Sequence, residues 1–276
     1  RTYLVHAYNN RYVLQLIDTH VFKNVDKAIK NIELVTEHLK HKNDYDAFII
    51  YSKDNRQHIL VGDYYFRCYK LRDNEEIYQY YENDKIHYEI ARILGRFHKL
   101  TADFDVKKLE NTIPNFQNSY EQYKRFMKAN EECKSDKYFY TFNEFKFIND
   151  RKNDFNLINN LLEKDLIPIR VTHNNVRKAN IIFEKDTYNA LYLIGFDAIM
   201  PGTLLRDFGD MARYAFNSTK ENEKNLDAVY FRIDLFKEGL KAYLNEVKDI
   251  ITPTEVKHLV DATKLMALEY GMRNLI

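Results

Sequence analysis

The side chains in this sequence that could do chemistry crowd into one stretch. His173, Asn174, Asn175 and Asn180 lie in Thr172-His173-Asn174-Asn175-Val176-Arg177-Lys178-Ala179-Asn180-Ile181-Ile182-Phe183. Asp197 follows in Ala190-Leu191-Tyr192-Leu193-Ile194-Gly195-Phe196-Asp197-Ala198-Ile199-Met200-Pro201-Gly202, and Asp207-Phe208-Gly209-Asp210 comes shortly after. Amide and carboxylate oxygens of this kind suit hard cations and polar substrates. Phosphoryl transfer is one chemistry that would use them: a carboxylate orients the attacking hydroxyl and accepts its proton, while metal ions neutralise charge on the phosphate oxygens. His-Asn-Asn alone identifies nothing, because a histidine in a loop is structural more often than not.

These residues need elements to hold them. Residues 2 to 8 and 11 to 17 are rich in Tyr, Val, Leu and Ile and are separated by Asn9-Asn10, which predicts a β-hairpin. A helix is expected from Val25 to Lys40, then strands from Ala47 to Tyr51 and from Tyr64 to Tyr69. The first boundary falls near Asp73. Beyond it, Ile86, Ile90, Ile93, Leu94 and Phe97 recur at helical spacing, as do Leu226, Val229, Ile233, Phe236, Leu240, Tyr243 and Val247, and both stripes predict buried helix faces. Between the helical blocks sits a β-rich island: Ile169 to Thr172, Asn180 to Phe183 and Leu191 to Phe196, with Glu184 to Asn189 as the turn joining the last two. The expected fold class is α+β and two-lobed: residues 1–72 a small β-sheet lobe with one helix, residues 73–276 a larger, mostly helical lobe with a β-hairpin at the cleft.

The Thr172 to Phe183 segment resembles the catalytic loop of the aminoglycoside phosphotransferase and choline kinase superfamily, and more narrowly its N-acetylhexosamine 1-kinase branch, which reads Thr-His-Asn-Asp-Thr-Lys-x-Asn-Asn. Ala190 to Gly202 is similar to that branch's Leu-x-Val-Ile-Asp-Leu-Asp-Thr-Val-Met-Pro-Gly. Weaker echoes run along the chain: Tyr12-Val13-Leu14-Gln15, Asn31-Ile32-Glu33-Leu34-Val35-Thr36, Gly95-Arg96-Phe97, Thr112-Ile113-Pro114-Asn115-Phe116 and Leu268-Glu269-Tyr270-Gly271-Met272-Arg273. The resemblance implies a kinase-like fold that uses ATP and Mg2+ to phosphorylate a small-molecule hydroxyl, an amino sugar in this branch.

Residue by residue, the implied site is incomplete. The resemblance puts the catalytic base at position 175, beside His173, and finds Asn175, whose amide has no useful basicity near neutral pH. Loss of a general base typically forfeits about 10²- to 10⁴-fold in rate. Asn180 stands where the family's metal-binding Asn is expected, but the second metal position holds Gly195, which offers no side-chain oxygen. Asp197 is the only local candidate to compensate: two residues on along a strand it would share a face with position 195, but at about 6.6 Å, given ~3.3 Å per residue, it is too far to substitute without a backbone shift, and a retained neighbour that was never the ligand is the stronger reading. Gln15 falls where more distant kinases carry a phosphate-pairing Lys, but the branch it resembles commonly has Gln there, so only Leu16, where the branch shows Arg, counts against activity. The first glycine is Gly62, so no Gly-rich loop covers phosphates in the N-terminal hairpin. Backbone groups near Tyr69 to Leu71, in the segment joining the lobes, remain for an adenine ring. Asp207-Phe208-Gly209 spells the protein-kinase metal motif, yet the metal-binding strand position has already passed at Gly195; the resemblance makes Asp207 a brace for the catalytic loop at a helix N-terminus. Arg273, near the C-terminal end of the sequence, is another residue whose support is expected to be missing.

Composition excludes other classes. The 276 residues carry 42 Lys plus Arg against 41 Asp plus Glu, so no sequence-wide positive field attracts nucleic acid or anionic membrane. With 45% hydrophobic residues the chain can bury a sizeable core. Cys68 and Cys133 lack metal-ligand spacing and point to a reducing, cytoplasmic setting. No stretch approaches the roughly 18 apolar residues of a membrane span. The chain opens at Arg1 inside strand-like sequence and stops at Asn274-Leu275-Ile276 on apolar helical sequence, which predicts a fragment cut at both ends. Three functions stay open: an active sugar 1-kinase, a catalytically dead kinase fold that binds a sugar, nucleotide or protein, and a decayed or altered copy. The lost carboxylates favour an inactive or strongly impaired chain.

Overall fold

The second strand alternates because one face of the sheet is buried and the other is not, whereas no residue of the first is buried. In the computed structural model, which describes residues 2–17, 19, 21–22, 24–42, 45, 49–78, 83–132 and 140–275, β1 (Thr2–Ala7) pairs antiparallel with β2 (Asn10–Ile17). The turn between them is Tyr8-Asn9, one residue earlier than the sequence suggested. Both have positive φ, 49° and 61°, the geometry that matches the right-handed twist of a hairpin, and Asn10 Nδ2 donates to the Tyr8 carbonyl. Helix α1 (Val25–Lys40) starts where Asn24 caps the Lys27 amide, and it buries Ile29, Ile32, Val35 and Leu39. β3 (Ile49–Ile50) and β4 (Ile59–Val61) are short, and both pair with β5 (Tyr64–Leu71), which continues two residues past the expected Tyr69. Of the strand expected from Ala47 to Tyr51, positions 47 and 48 lie outside the described residues, as does Cys133. The sheet runs β1-β2-β5-β3 with every pair antiparallel, and Val13, Gln15 and Ile17 of β2 share its buried face with Arg67, Tyr69 and Leu71 of β5.

The chain then crosses through β6 (Glu75–Glu76), which adds to the hairpin of β8 (Ile181–Glu184) and β9 (Ala190–Leu193). Helices α2 (Lys85–Leu100), α3 (Ser119–Glu132), α4 (Phe142–Asn149) and α5 (Leu157–Glu163) precede β7 (Arg170–Thr172), which pairs with β10 (Met200–Gly202). Helix α6 (Leu204–Ala215) is capped by the Thr203 hydroxyl, α7 (Ile233–Val247) packs along α2, and α8 (Pro253–Arg273) packs along α6. Thr252 and Glu255 close a capping box on α8, with Pro253 in the first turn. The α2 stripe is buried as expected. The second stripe was overextended: α7 begins only at Ile233, and Leu226, Val229 and Ile233 are 77%, 41% and 59% exposed, so the apolar face proper is Phe236, Tyr243 and Val247. Gly209 has a packing reason, because a Cβ there would meet the Ala262 carbonyl of α8 at 2.5 Å. Among the described residues, no helix is long and apolar enough to cross a membrane.

Candidate functional site

The loop after β7 is held from beneath by one carboxylate. Asp207, buried in the first turn of α6, accepts the His173 backbone N–H at 2.7 Å through Oδ2 and the Asn174 N–H at 2.8 Å through Oδ1. His98 of α2 joins the same Oδ2 at 3.0 Å through Nε2, and its Nδ1 meets the Tyr243 hydroxyl at 3.0 Å. Asn174 turns the chain at φ 60°, a conformation asparagine tolerates better than most residues. Its Nδ2 donates to Thr172 Oγ1 (2.8 Å) and to the Ala198 carbonyl (2.9 Å), and its Oδ1 accepts from Gln117 Nε2 (3.0 Å). Asn174 is therefore a turn former tied to β7 and to the 3-10 turn that precedes β10.

His173 is fully buried with a defined tautomer. Nε2 sits 3.0 Å from the Ile194 carbonyl, which can only accept, and Nδ1 accepts the Asn175 N–H at 3.3 Å, so the ring is neutral and protonated on Nε2. Burial lowers its pKa, against the opposing pull of Asp207. It positions Asn175 and does not itself shuttle protons. Asn175 is half-buried, and among the described residues no hydrogen bond occupies its side-chain amide.

Asn180 ties the two halves of the molecule together. Its Nδ2 donates to the Asn175 carbonyl at 2.9 Å, and its Oδ1 accepts from Gln15 Nε2 of β2 at 3.2 Å. Gly195 lies against it at φ 78°, the left-handed region, where a Cβ would come within 2.5 Å of Asn180 Oδ1. The strand ends at Leu193, and residues 196 to 198 form a 3-10 turn, so the strand geometry expected to aim Asp197 beside position 195 does not exist. Asp197 Oδ1 is sealed from solvent and unbonded; burial pushes the carboxyl's pKa up, and Arg67 opposes that. This donor set does not fit Mg2+. The space a carboxylate would need at 195 is taken by the Asn180 amide, and among the described residues no cluster of three or more His, Cys, Asp or Glu side chains could hold a metal ion.

Tyr69 and Leu71 are buried inside β5, their backbones opposite Val13 and Arg11 in the ladder. The connecting carbonyls come later in the chain, and Arg11 covers them: its Nη2 donates to the carbonyls of Glu75 (2.6 Å), Arg72 (3.2 Å) and Asp73 (3.3 Å), while Nη1 pairs with Glu76 at 2.7 Å.

Beside Asn174 opens a polar cavity of about 150 Å³, floored by Phe116 and walled by Arg177, Arg206, Asp210, Glu269 and Arg273. Arg206 and Glu269 make a buried pair at 2.6 Å, which Ser119 Oγ joins at 2.7 Å, and Arg273 also reaches Glu269. Asp210 lies between Arg177 (2.9 Å) and Arg213 (2.8 Å). Burial alone would raise both carboxyls, but the flanking arginines outweigh it and hold Asp210 and Glu269 at about 2. Most of these residues were not singled out from the sequence; the signal was present in the Thr112 to Phe116 and Leu268 to Arg273 segments, which meet only in three dimensions. A larger cavity of about 1210 Å³, between α4 and α8, contains none of the loop residues.

No family model matches the chain. Solved structures do. The microcompartment-associated aminopropanol kinase superposes with a TM-score of 0.61 at 14% identity over 98% of this chain and 79% of that one. Amicoumacin kinase, solved in complex with AMP-PNP and Ca2+, gives 0.60 at 13% identity over 98% and 80%, and the Plasmodium vivax ethanolamine kinase gives 0.57 at 14% over 100% and 76%. At these identities the likeness concerns the backbone, and this chain has the kinase-like fold of the aminoglycoside phosphotransferases and the choline and ethanolamine kinases.

Proposed function

We propose that this chain is a small-molecule phosphotransferase of the aminoglycoside kinase and choline kinase type whose turnover is strongly impaired. The observation that carries the reading is the Asp207 clamp, two backbone N–H groups and His98 on one buried carboxylate, which fixes the loop beside the polar cavity that Asn174 lines, while Asn180 reaches Gln15 of β2. Such pre-organisation suits a reaction in which positioning supplies much of the rate.

The acceptor would enter by the arginine and carboxylate cavity beside Asn174, where fixed charges of both signs suit a ligand rich in hydroxyl and amide groups. An N-acetylhexosamine remains the proposed acceptor on the strength of the sequence resemblance, with ATP as donor in a cytoplasmic setting. The solved neighbours act on an antibiotic, aminopropanol and ethanolamine by their names, which supports a small hydroxyl or amine compound in general. At position 175 an amide orients a hydroxyl without taking its proton, so transfer proceeds slowly. The missing metal ligand at 195, its place filled by Asn180, supports the second reading, a kinase fold retained for binding.

The test is a radiolabelled-ATP assay with N-acetylglucosamine, N-acetylgalactosamine, choline and an aminoglycoside as acceptors, on the chain as given and on Asn175→Asp. Turnover near 1 s⁻¹, the low end of typical kinase rates, by the unaltered chain would refute impairment. Slow transfer to one acceptor that rises about 10²-fold or more in Asn175→Asp supports the phosphotransferase reading, and acceptor binding without transfer in either form supports the binding reading.

A further inference from the structure

Arg67 is a buried cation that makes no hydrogen bond among the described residues. It lies in β5 directly opposite Gln15 of β2, so both side chains leave the same face of the sheet, toward the loop that carries Asn180. The residue is 2% exposed, and none of its three guanidinium nitrogens makes a hydrogen bond. A guanidinium does not deprotonate to escape burial, so its charge stays in a place where an unpaired charge is costly. The groups nearest to it do not cancel that charge. The Tyr69 ring lies 5.3 Å from its central carbon, and the Tyr69 hydroxyl is itself unbonded. Asp197 feels Arg67 electrostatically, but since every Arg67 nitrogen is unbonded, no hydrogen bond joins the two. Gln15, standing where a phosphate-pairing lysine would be, spends its amide on Asn180 and on Thr2 Oγ1.

The polar groups between the sheet and the Asn180 loop thus include a cation on β5 and no carboxylate at position 195. A fixed positive charge sits beside Gln15, and the Asn180 amide fills the space that a carboxylate at 195 would need. We infer that Arg67 is the phosphate-binding cation of this cleft, supplied from β5 in place of a lysine on β2 and of a metal ion, so that the chain takes a polyphosphate ligand without divalent metal. The planar fork of the guanidinium suits two oxygens of one phosphoryl group, and anion binding would relieve the unpaired charge. This rests on the reading of the cleft as the phosphate-donor side, and the ligand chemistry, a chain of phosphoryl groups, is shared by nucleoside triphosphates and inorganic polyphosphate.

The experiment is calorimetric titration and thermal shift of the whole chain with inorganic tripolyphosphate, ATP and adenosine, in EDTA and in Mg2+, on wild type, Arg67→Met and Arg67→Lys. The expected result is binding of tripolyphosphate and ATP in EDTA, changed less than about threefold by Mg2+ and weakened about 10- to 100-fold in Arg67→Met, as befits loss of a charge-assisted contact. Arg67→Lys keeps part of the affinity. Arg67→Met should also melt no lower than wild type without ligand, because it removes a buried unpaired charge, yet lose the rise in Tm on adding tripolyphosphate. Affinity that requires Mg2+, or tripolyphosphate binding unchanged in Arg67→Met, overturns the assignment. If that variant fails to fold, the wild-type titration in EDTA decides: absence of tripolyphosphate binding there overturns it. ATP and adenosine binding equally, with no tripolyphosphate binding, overturns the Arg67 role while leaving nucleotide binding intact. Arg67-dependent tripolyphosphate binding without acceptor phosphorylation upholds the role and counts against the phosphotransferase reading.

Discussion

Putting a carboxylate back at position 195 tests whether that site is merely empty or has been rebuilt. Gly195 has φ 78°, and a Cβ placed on it would lie 2.5 Å from Asn180 Oδ1 and 2.6 Å from its Cγ. Two costs follow for Gly195→Asp. Holding an L-residue in the left-handed region costs about 1 to 2 kcal/mol, somewhat less for Asp than for most. Crowding a buried neighbour that already makes two hydrogen bonds costs about 1 to 3 kcal/mol. Their sum, about 2 to 5 kcal/mol, is a large share of the roughly 5 to 15 kcal/mol that stabilises a typical domain. At about 2 to 4 °C per kcal/mol for a chain of this size class, Tm should fall by roughly 4 to 20 °C. Circular dichroism melts of wild type, Gly195→Asp, Gly195→Ala and Gly195→Asp with Asn180→Ala separate the terms. Ala should suffer nearly as much as Asp, since the first added carbon causes the crowding. In the double variant the crowding term should vanish and the backbone term remain, a coupling of about 1 to 3 kcal/mol between neighbours in contact. A Tm for Gly195→Asp within about 1 °C of wild type, or a gain of stability with Mg2+ in that single variant, would refute the reasoning and mean that the metal position is only vacant.

Asp207→Ala should be among the most damaging single changes, because it strands two buried backbone N–H groups and His98; a loss of about 3 to 5 kcal/mol is expected from urea unfolding midpoints. Arg11→Ala should leave stability within about 1 kcal/mol, its ion pair being partly exposed, and should raise adenosine affinity by uncovering the connecting carbonyls, a change that competition calorimetry reads directly. Stability should also fall with acid in two stages. Buried His173 has its pKa lowered, so the unfolded chain takes up a proton that the folded one refuses as pH drops below about 6.5. Asp210 and Glu269, held at about 2 in the fold, contribute stability that is present above the ordinary carboxylate range and is lost as pH falls from about 5 toward 2. Asp197, with its pKa raised, works in the opposite sense and softens the second stage. A Tm that stays level from pH 7 to pH 4 would contradict this.

The sequence by itself determined the elements that depend on local pattern. Runs rich in Tyr, Val, Leu and Ile around a turn set β1 and β2, a helix over Val25–Lys40 and the helical spacing of the α2 face were legible, and the loop motif drew His173, Asn175 and Asn180 together. It overran where pattern continues without burial, as at Leu226 and Val229, because periodicity does not report whether a helix has begun. It put Asp197 on one face with position 195 for a related reason: two residues apart means one face only while the chain stays extended, and the left-handed Gly195 ends the strand first. What only the tertiary structure decided were relations between distant segments. Gln15 and Asn180 are 165 residues apart and joined by one hydrogen bond, Phe116 and Glu269 meet across a cavity, and Arg67 stands beside Gln15 only because β5 lies next to β2 in that register. A charge without a partner cannot be recognised in a sequence, since whether Arg67 is solvated, paired or stranded depends on what the fold brings within about 4 Å of it.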